Sequence, residues 1–328
     1  MNPGPQTVRC RTVAGVWQQI VVEHVNEFQT PGSALPQALV RVNNQLYVRK
    51  CVPPQRGARS PGLYDLLDNE IRAGCRLGQV YGARFPQELA NLVGYDIDAE
   101  EPFALLRAYR GEPVGSNPRF EEADAWRFQH GVLRALQLTS AAGVVHGDVT
   151  ARALRWDHSQ VQLVDFESAE RVGDRRRRGT AATRSPEQAA GTGTVDPRDD
   201  VWAASQLIRA TQLQVPFDEQ LPDHKLDPDG LRALLAPVFG NAVEQRPTPT
   251  DLLGRMRGSA TPLVPDDPDR HLAVGHEMFE QASRAKRGTP VSPAANGGKP
   301  ARRGKRAFPF LGTTLLVAGM IIGTVVAL

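Results

Sequence analysis

Val-Val-His-Gly-Asp-Val-Thr-Ala-Arg-Ala-Leu (residues 144–154), followed after a short gap by Val-Gln-Leu-Val-Asp-Phe-Glu (residues 161–167), decides how this chain is read. It parses as a loop, a strand, a tight turn, a second strand and a further turn. Apolar Leu154 and Trp156 flank Arg155, and Asp157, His158, Ser159 and Gln160 form a polar turn. Val161, Leu163 and Val164 make a β-branched and aliphatic run that ends at Asp165. Short apolar runs bounded by turn residues are strand signals. Asp148 and Asp165 fall at the two edges of the hairpin, so the fold is expected to bring them near each other.

Working outward, residues 120–142 read as a long helix with Trp126, Val132, Leu133, Leu136 and Leu138 apolar, closed by Gly143 as a helix-ending glycine. On the N-terminal side, residues 39–42 and 46–52 flank Asn43-Asn44, a pair that tolerates the positive φ of a two-residue hairpin turn. Residues 63–77 carry Leu63, Leu66, Leu67, Ile71 and Cys75 at helical spacing, which places Glu70 beside the buried face. Residues 16–25, 87–96 and 103–109 supply three more strands, for five in all, and residues 108–113 connect to the helical half.

These motifs resemble the protein kinase family. The family's His-Arg-Asp motif, with Asn five residues after its Asp, appears as His146-Gly147-Asp148 with Ala153 at the Asn position, and its Asp-Phe-Gly as Asp165-Phe166-Glu167. Tyr47-Val48-Arg49-Lys50 is similar to Val-Ala-Ile-Lys, whose Lys pairs with phosphates and with a helix Glu, here Glu70. Thr180 through Ser185-Pro186-Glu187, Asp200-Val201-Trp202 and Arg246-Pro247-Thr248 resemble the later landmarks of bacterial Ser/Thr protein kinases. The resemblance implies an α+β, two-lobed fold. Its β-rich N-lobe would cover about 1–108 and its α-helical C-lobe about 112–257. It also implies a buried ion pair between Glu187 and Arg246, a structural role for Asp200, and metal at Asp165.

The departures fall on the chemistry. Ala153 cannot hold the magnesium that the family's Asn holds, and Thr150 replaces a Lys that contacts the γ-phosphate. Gly147 removes the Arg that grips a phosphorylated loop. The Gly-rich phosphate loop is reduced to Gly32, with Pro36 lacking a donor and Gln37 in place of the last glycine, a poor cradle for nucleotide. Asp148, whose family counterpart accepts or orients the substrate hydroxyl, Lys50 and Asp165 remain, and Glu167 adds a carboxylate. The expected function is therefore a pseudokinase, a scaffold or signalling regulator that needs no ATP or magnesium and binds either weakly. The alternative is an active, atypical Ser/Thr protein kinase that transfers the ATP γ-phosphate and uses Glu167 for the missing metal ligand. A small-molecule phosphotransferase also uses His-Gly-Asp, but Ser-Pro-Glu and Arg-Pro-Thr argue against it.

Composition adds a second theme. The net charge is +3, but eight of the 39 basic residues follow Glu280, the last of the 36 acids, so residues 1–280 carry about −5. A mildly acidic body argues against nucleic-acid binding, and a basic tail suits an anionic surface. Residues 258–307 are rich in Pro, Gly, Ala and basic residues and read as a linker, with a short helix near 271–286. Residues 310–328 contain no charge, and at about 1.5 Å per residue they reach about 28 Å, close to a bilayer core. A single-pass transmembrane helix over 308–328 is expected, with the basic flank contacting membrane lipid and the body on the cytosolic side. Gly319 and Gly323 would let two such helices approach in a homodimer. Three cysteines, Cys10, Cys51 and Cys75, fit neither a zinc site nor a disulfide framework, as in a reducing cytosol, and the first nine residues have no signal-peptide core. Arg175–Arg178 reads as a solvated loop, the alternative being a docking site for an acidic partner or lipid.

Overall fold

The computed structural model describes residues 4–115, 120–177, 183–217, 220–240 and 242–256. The chain divides into two units, Met1–His276 and Glu277–Leu328, and every described residue lies in the first. The expected linker, basic flank, transmembrane helix, Gly319–Gly323 pair and residues 178–182 lie outside the described residues. Among the described residues no helix is long and apolar enough to cross a membrane.

The first part is β-rich. Strands β1 (Gln6–Arg11), β2 (Trp17–Phe28), β3 (Gln37–Val42), β4 (Gln45–Cys51), β5 (Leu92–Asp96) and β6 (Phe103–Arg107) close into a barrel in the order β1-β2-β3-β4-β6-β5. The sequence suggested five strands here, and the sixth is β1. It pairs with β2 along its length and closes the barrel through Arg11 opposite Tyr95. Its apolar signal is only Val8 and Cys10, yet Cys10 is fully buried against the barrel interior. The first strand is also longer than residues 16–25, reaching Phe28. At the β3–β4 turn Asn43 and Asn44 both take positive φ, 48° and 63°, which the right-handed twist of a hairpin demands.

Helix α1 (Pro54–Arg59) leads into α2 (Gly62–Tyr81), which packs against the barrel. Leu63, Leu67, Glu70, Ile71, Gly74 and Leu77 form its buried stripe. Gly74 is required by proximity, since a Cβ there would lie 2.6 Å from the Leu92 Cβ. Tyr81 at its end donates to the Leu138 carbonyl at 2.6 Å, tying α2 to the long helix of the second part.

The second part is helical. β7 (Glu112–Pro113) pairs with β9 (Leu154–Trp156), which pairs with β10 (Val161–Leu163), while β8 (Val144–Val145) pairs with β11 (Glu170–Arg171). Helix α3 (Glu122–Ala141) buries Phe128, Val132, Leu133, Leu136 and Leu138. Trp126, counted with its apolar face, is instead exposed and stacks on His130. Helices α4 (Pro186–Ala190), α5 (Arg198–Leu213), α6 (Asp229–Leu235) and α7 (Pro249–Arg255) complete the described part. Two apolar clusters hold it together. One runs from α2 through the 154–166 hairpin to α5, and the other lies beneath α5, α6 and α7.

Candidate functional site

Lys50 is the centre of the site. β4 carries it inward with no exposed surface, and three carboxylates converge on its ammonium. Glu70 Oε2 from α2 and Asp165 Oδ1 each accept at 2.7 Å, and Glu167 Oε1 accepts at 3.1 Å. Burial alone would pull the lysine pKa down, but Glu70, Asp165 and Glu167 outweigh it and hold the ammonium well above its ordinary value. Two of the acids are raised as well. Burial pushes Glu70 up to about 7, Lys50 opposes this, and Asp165 and Glu167 add to it. Glu167 is raised for the same first reason. The acids thus help Lys50 keep its proton, while burial and their mutual repulsion, partly offset by Lys50, hold Glu70 and Glu167 above the usual carboxylate range.

Local backbone explains how the acids arrive. Asp165 sits in the left-handed region, φ 72°, immediately after β10, and this turns Phe166–Ser168 into a single 3₁₀ turn that aims Glu167 back toward Lys50. Asn69 of α2 donates to the Glu167 carbonyl at 2.9 Å and fixes that turn. The remaining acceptor capacity of Glu167 goes to the loop where Gly32 lies. Ser33 Oγ donates to Glu167 Oε1, and the Ala34 N–H donates to Oε2 at 3.0 Å. Gln37 reinforces the loop: its amide nitrogen donates to Ser33 Oγ at 2.7 Å, and its amide oxygen accepts from the N–H and hydroxyl of Thr30. Gly32 takes φ +88°, and a Cβ there would meet Arg152 at 3.1 Å, so the loop rests directly on residues 151–153. Leu35 is fully buried.

His146, Gly147 and Asp148 form a separate, rigid arch. The Asp200 carboxylate accepts from the N–H groups of His146 at 2.6 Å and Gly147 at 2.9 Å. Burial pushes Asp200 up to about 6 against the opposing effects of His146 and the two backbone donors. His146 Nε2 lies 3.0 Å from the Val164 carbonyl and Nδ1 accepts from the Asp148 N–H, which together assign the proton to Nε2. Gly147 has φ +78°, and a Cβ would come within 2.5 Å of the Ser168 carbonyl oxygen. Glycine is demanded here by a backbone crossing, a constraint the sequence showed only as a missing arginine. Asp148 is half-buried, and among the described residues its carboxylate takes no hydrogen bond or ion pair.

Glu187 and Arg246 meet at 2.7 Å, with Arg246 fully buried and Glu187 19% exposed. The Arg246 guanidinium also lies over the Trp202 ring, 4.8 Å from its centroid. Burial raises the Glu187 pKa, but the Arg246 hydrogen bond and charge outweigh it and leave it lowered.

Several residues of the site escaped the sequence reading. Arg155 is buried, donates to the Arg110 and Gly111 carbonyls, and faces the rings of Phe28 and Tyr109 at 5.8 and 5.7 Å. Phe28 and Tyr109 meet edge to face, 6.0 Å apart. The Tyr109 hydroxyl and Arg155 Nη1 are buried without a hydrogen-bond partner in this arrangement. A charged residue between two apolar ones in a buried strand was the available signal for Arg155. Arg176 is a correction: it does not belong to a solvated loop. It is buried and grips Asp199 with two hydrogen bonds, 2.9 and 3.1 Å, while Ser185 Oγ donates to the same carboxylate. Only an acid 23 residues away makes that burial tolerable.

The carboxylates of Glu70, Asp165 and Glu167 lie within 4.8 Å of one another, and three oxygen donors suit a hard divalent cation. Lys50 already fills the space between them, and Glu167 is engaged with Ser33 and Ala34. A cation held by the three carboxylates would compete with the Lys50 ammonium for the same oxygens.

No family model matches the chain. Over 193 residues, 55% of its length, it is 27% identical to a probable serine/threonine-protein kinase of Streptomyces coelicolor, of which the match covers 27%. The chain thus spans about a quarter of the curated relative it matches. At that identity the comparison supports a distant, kinase-like relationship.

Proposed function

We propose that this chain carries a two-lobed, protein-kinase-like domain that acts as a membrane-tethered scaffold or signalling regulator and transfers no phosphate. One observation carries the reading. Glu167, at the position of a flexible glycine in the family it resembles, bonds to Lys50, Ser33 and Ala34 at once and latches the would-be phosphate loop onto the lysine. The same lysine is charge-neutralised by two further acids, and Ala153 offers no metal ligand. Phosphoryl transfer depends on positioning and metal-borne charge neutralisation, and both are compromised here. Phe28, Tyr109 and Arg155 are likewise engaged with one another. The rival reading, an atypical Ser/Thr kinase with Glu167 as metal ligand, draws on the three converging carboxylates.

Incubating the full-length chain with labelled ATP and magnesium, with and without a generic protein substrate, separates the two. The proposed function expects no transfer from the wild type and only weak nucleotide binding, little helped by magnesium. The double change Ala153→Asn with Glu167→Gly is expected to strengthen binding by opening the latch. Robust wild-type turnover that disappears in both Asp148→Asn and Glu167→Ala would establish the kinase instead. Membrane attachment is tested separately: deleting residues 308–328 is expected to move the protein to the soluble fraction.

A further inference from the structure

A groove of about 1070 Å³ opens between α2, the end of α3, the β8–β11 pair and the segment after β11. Six arginines line it: Arg72 and Arg76 from α2, Arg171 from β11, and Arg175, Arg176 and Arg177 just beyond. The acids facing them are Glu170 and Asp174. Arg176 is turned inward to Asp199, Arg76 donates to the Ala142 carbonyl, and Arg72 pairs with Asp68 at the exposed rim. Arg171, Arg175 and Arg177 are exposed, and among the described residues none of the three forms a salt bridge. Apolar Ala73, Val144 and Ala169 pave the floor, and no aromatic ring lines the groove.

We infer that this groove binds an acidic polypeptide segment of a partner protein, its carboxylates paired with Arg171, Arg175 and Arg177 and its aliphatic side chains on the apolar floor. Guanidinium groups match carboxylates in fork geometry, and six arginines against two acids around a concavity favour an anionic occupant. A flat membrane surface does not reach a concave floor, and without aromatic rings there is no stacking platform for nucleic-acid bases. The volume lies just above the range of small-ligand pockets, about 300–1,000 Å³, and suits an extended segment. Occupancy touches both supports of the central site. Asn69, on the groove wall, holds the Glu167 turn, and Arg176 holds Asp199 beside Asp200. This names a partner class for the regulator reading, yet binding itself does not depend on whether the domain transfers phosphate.

The test is fluorescence anisotropy of a labelled peptide of alternating Glu and Leu, titrated with the full-length chain in non-ionic detergent. Saturable binding is expected, with none for the peptide carrying Lys in place of Glu. The combined change Arg171→Glu, Arg175→Glu and Arg177→Glu is expected to weaken binding by about tenfold or more, because it converts three attractions into repulsions. Arg232→Glu, exposed on α6, is expected to leave binding unchanged. The basic tail is identical in all variants, so the difference reports the groove. Should the triple variant fail to fold, Arg175→Ala with Arg177→Ala is expected to weaken binding several-fold. Equal affinity for wild type and groove variants overturns the inference. So does tighter, groove-dependent binding to phosphatidylserine vesicles or to a single-stranded oligonucleotide. Each of these outcomes is read without an ATP assay, so it stands apart from the fate of the pseudokinase reading.

Discussion

Arg246 and Lys50 head the ranking by volume of fully buried side chains among the described residues, and both are cations. Their surroundings differ. Arg246 meets one carboxylate and an indole ring, a one-to-one arrangement that joins α4 to the segment before α7. Lys50 meets three carboxylates, leaving a surplus of negative charge in the interior. A balanced buried pair is an architectural joint, weakly informative about chemistry. An unbalanced cluster, whose members shift one another's proton affinity, is the mark of a site poised to change partners. The opposite pKa shifts of Glu70 and Glu187 express that contrast.

The largest effect should follow removal of the central cation. Lys50→Met strands three acids, and by analogy with broken buried pairs it should cost about 3–5 kcal/mol at neutral pH. Urea melts of the variant should recover stability as pH falls and the acids protonate. A melt indistinguishable from wild type would mean the cluster is not held as described.

The pH profile sharpens the comparison. Glu70 is raised in the folded state to about 7 from an ordinary 4.5, so its favourable contribution is complete below the ordinary value and fades as pH rises through about 7. The span sets an upper bound of about 3 kcal/mol. Glu70→Gln should flatten most of that alkaline loss. Asp200, raised to about 6, leaves a residual slope of the same sign. An unchanged profile in the variant would assign the proton uptake elsewhere.

Arg246→Ala should cost about 2–3 kcal/mol, less than a fully buried pair, because Glu187 retains 19% exposure and can rehydrate. Its sign is reversed. Glu187 is lowered in the folded state, so its contribution is present at neutral pH and lost as pH falls through its folded value. The variant should therefore differ least from wild type in acid. A gap that widens in acid would contradict the pairing.

The smallest effect is at the latch. Ser33→Ala removes the hydrogen bond to Glu167 and the acceptor of the Gln37 amide, and should cost about 1–2 kcal/mol. It should nevertheless raise the hydrogen-exchange rate of the Ala34 amide more than that of the β3–β4 strands. Uniform exchange across all three would show that the loop does not open on its own.

What the sequence determined by itself is what local chemistry encodes. The 154–163 hairpin, the Asn43-Asn44 turn, helix α2 with Glu70 on its buried face, and the Gly143 helix end all follow from side-chain periodicity and backbone preference within a few residues. The meeting of Lys50 with Glu70, and of Glu187 with Arg246, was legible through motif order. Only the tertiary structure decided the rest. The sixth strand pairs along β2, and it closes the barrel because Arg11 lies opposite Tyr95. Arg176 is buried because Asp199 receives it, and Arg155 because the Gly111 carbonyl does. The latch joins Ser33 to Glu167 across 134 residues. No local pattern announces such contacts, because a buried charge is stable only when a distant partner arrives with the right geometry, and that geometry is a property of the folded chain.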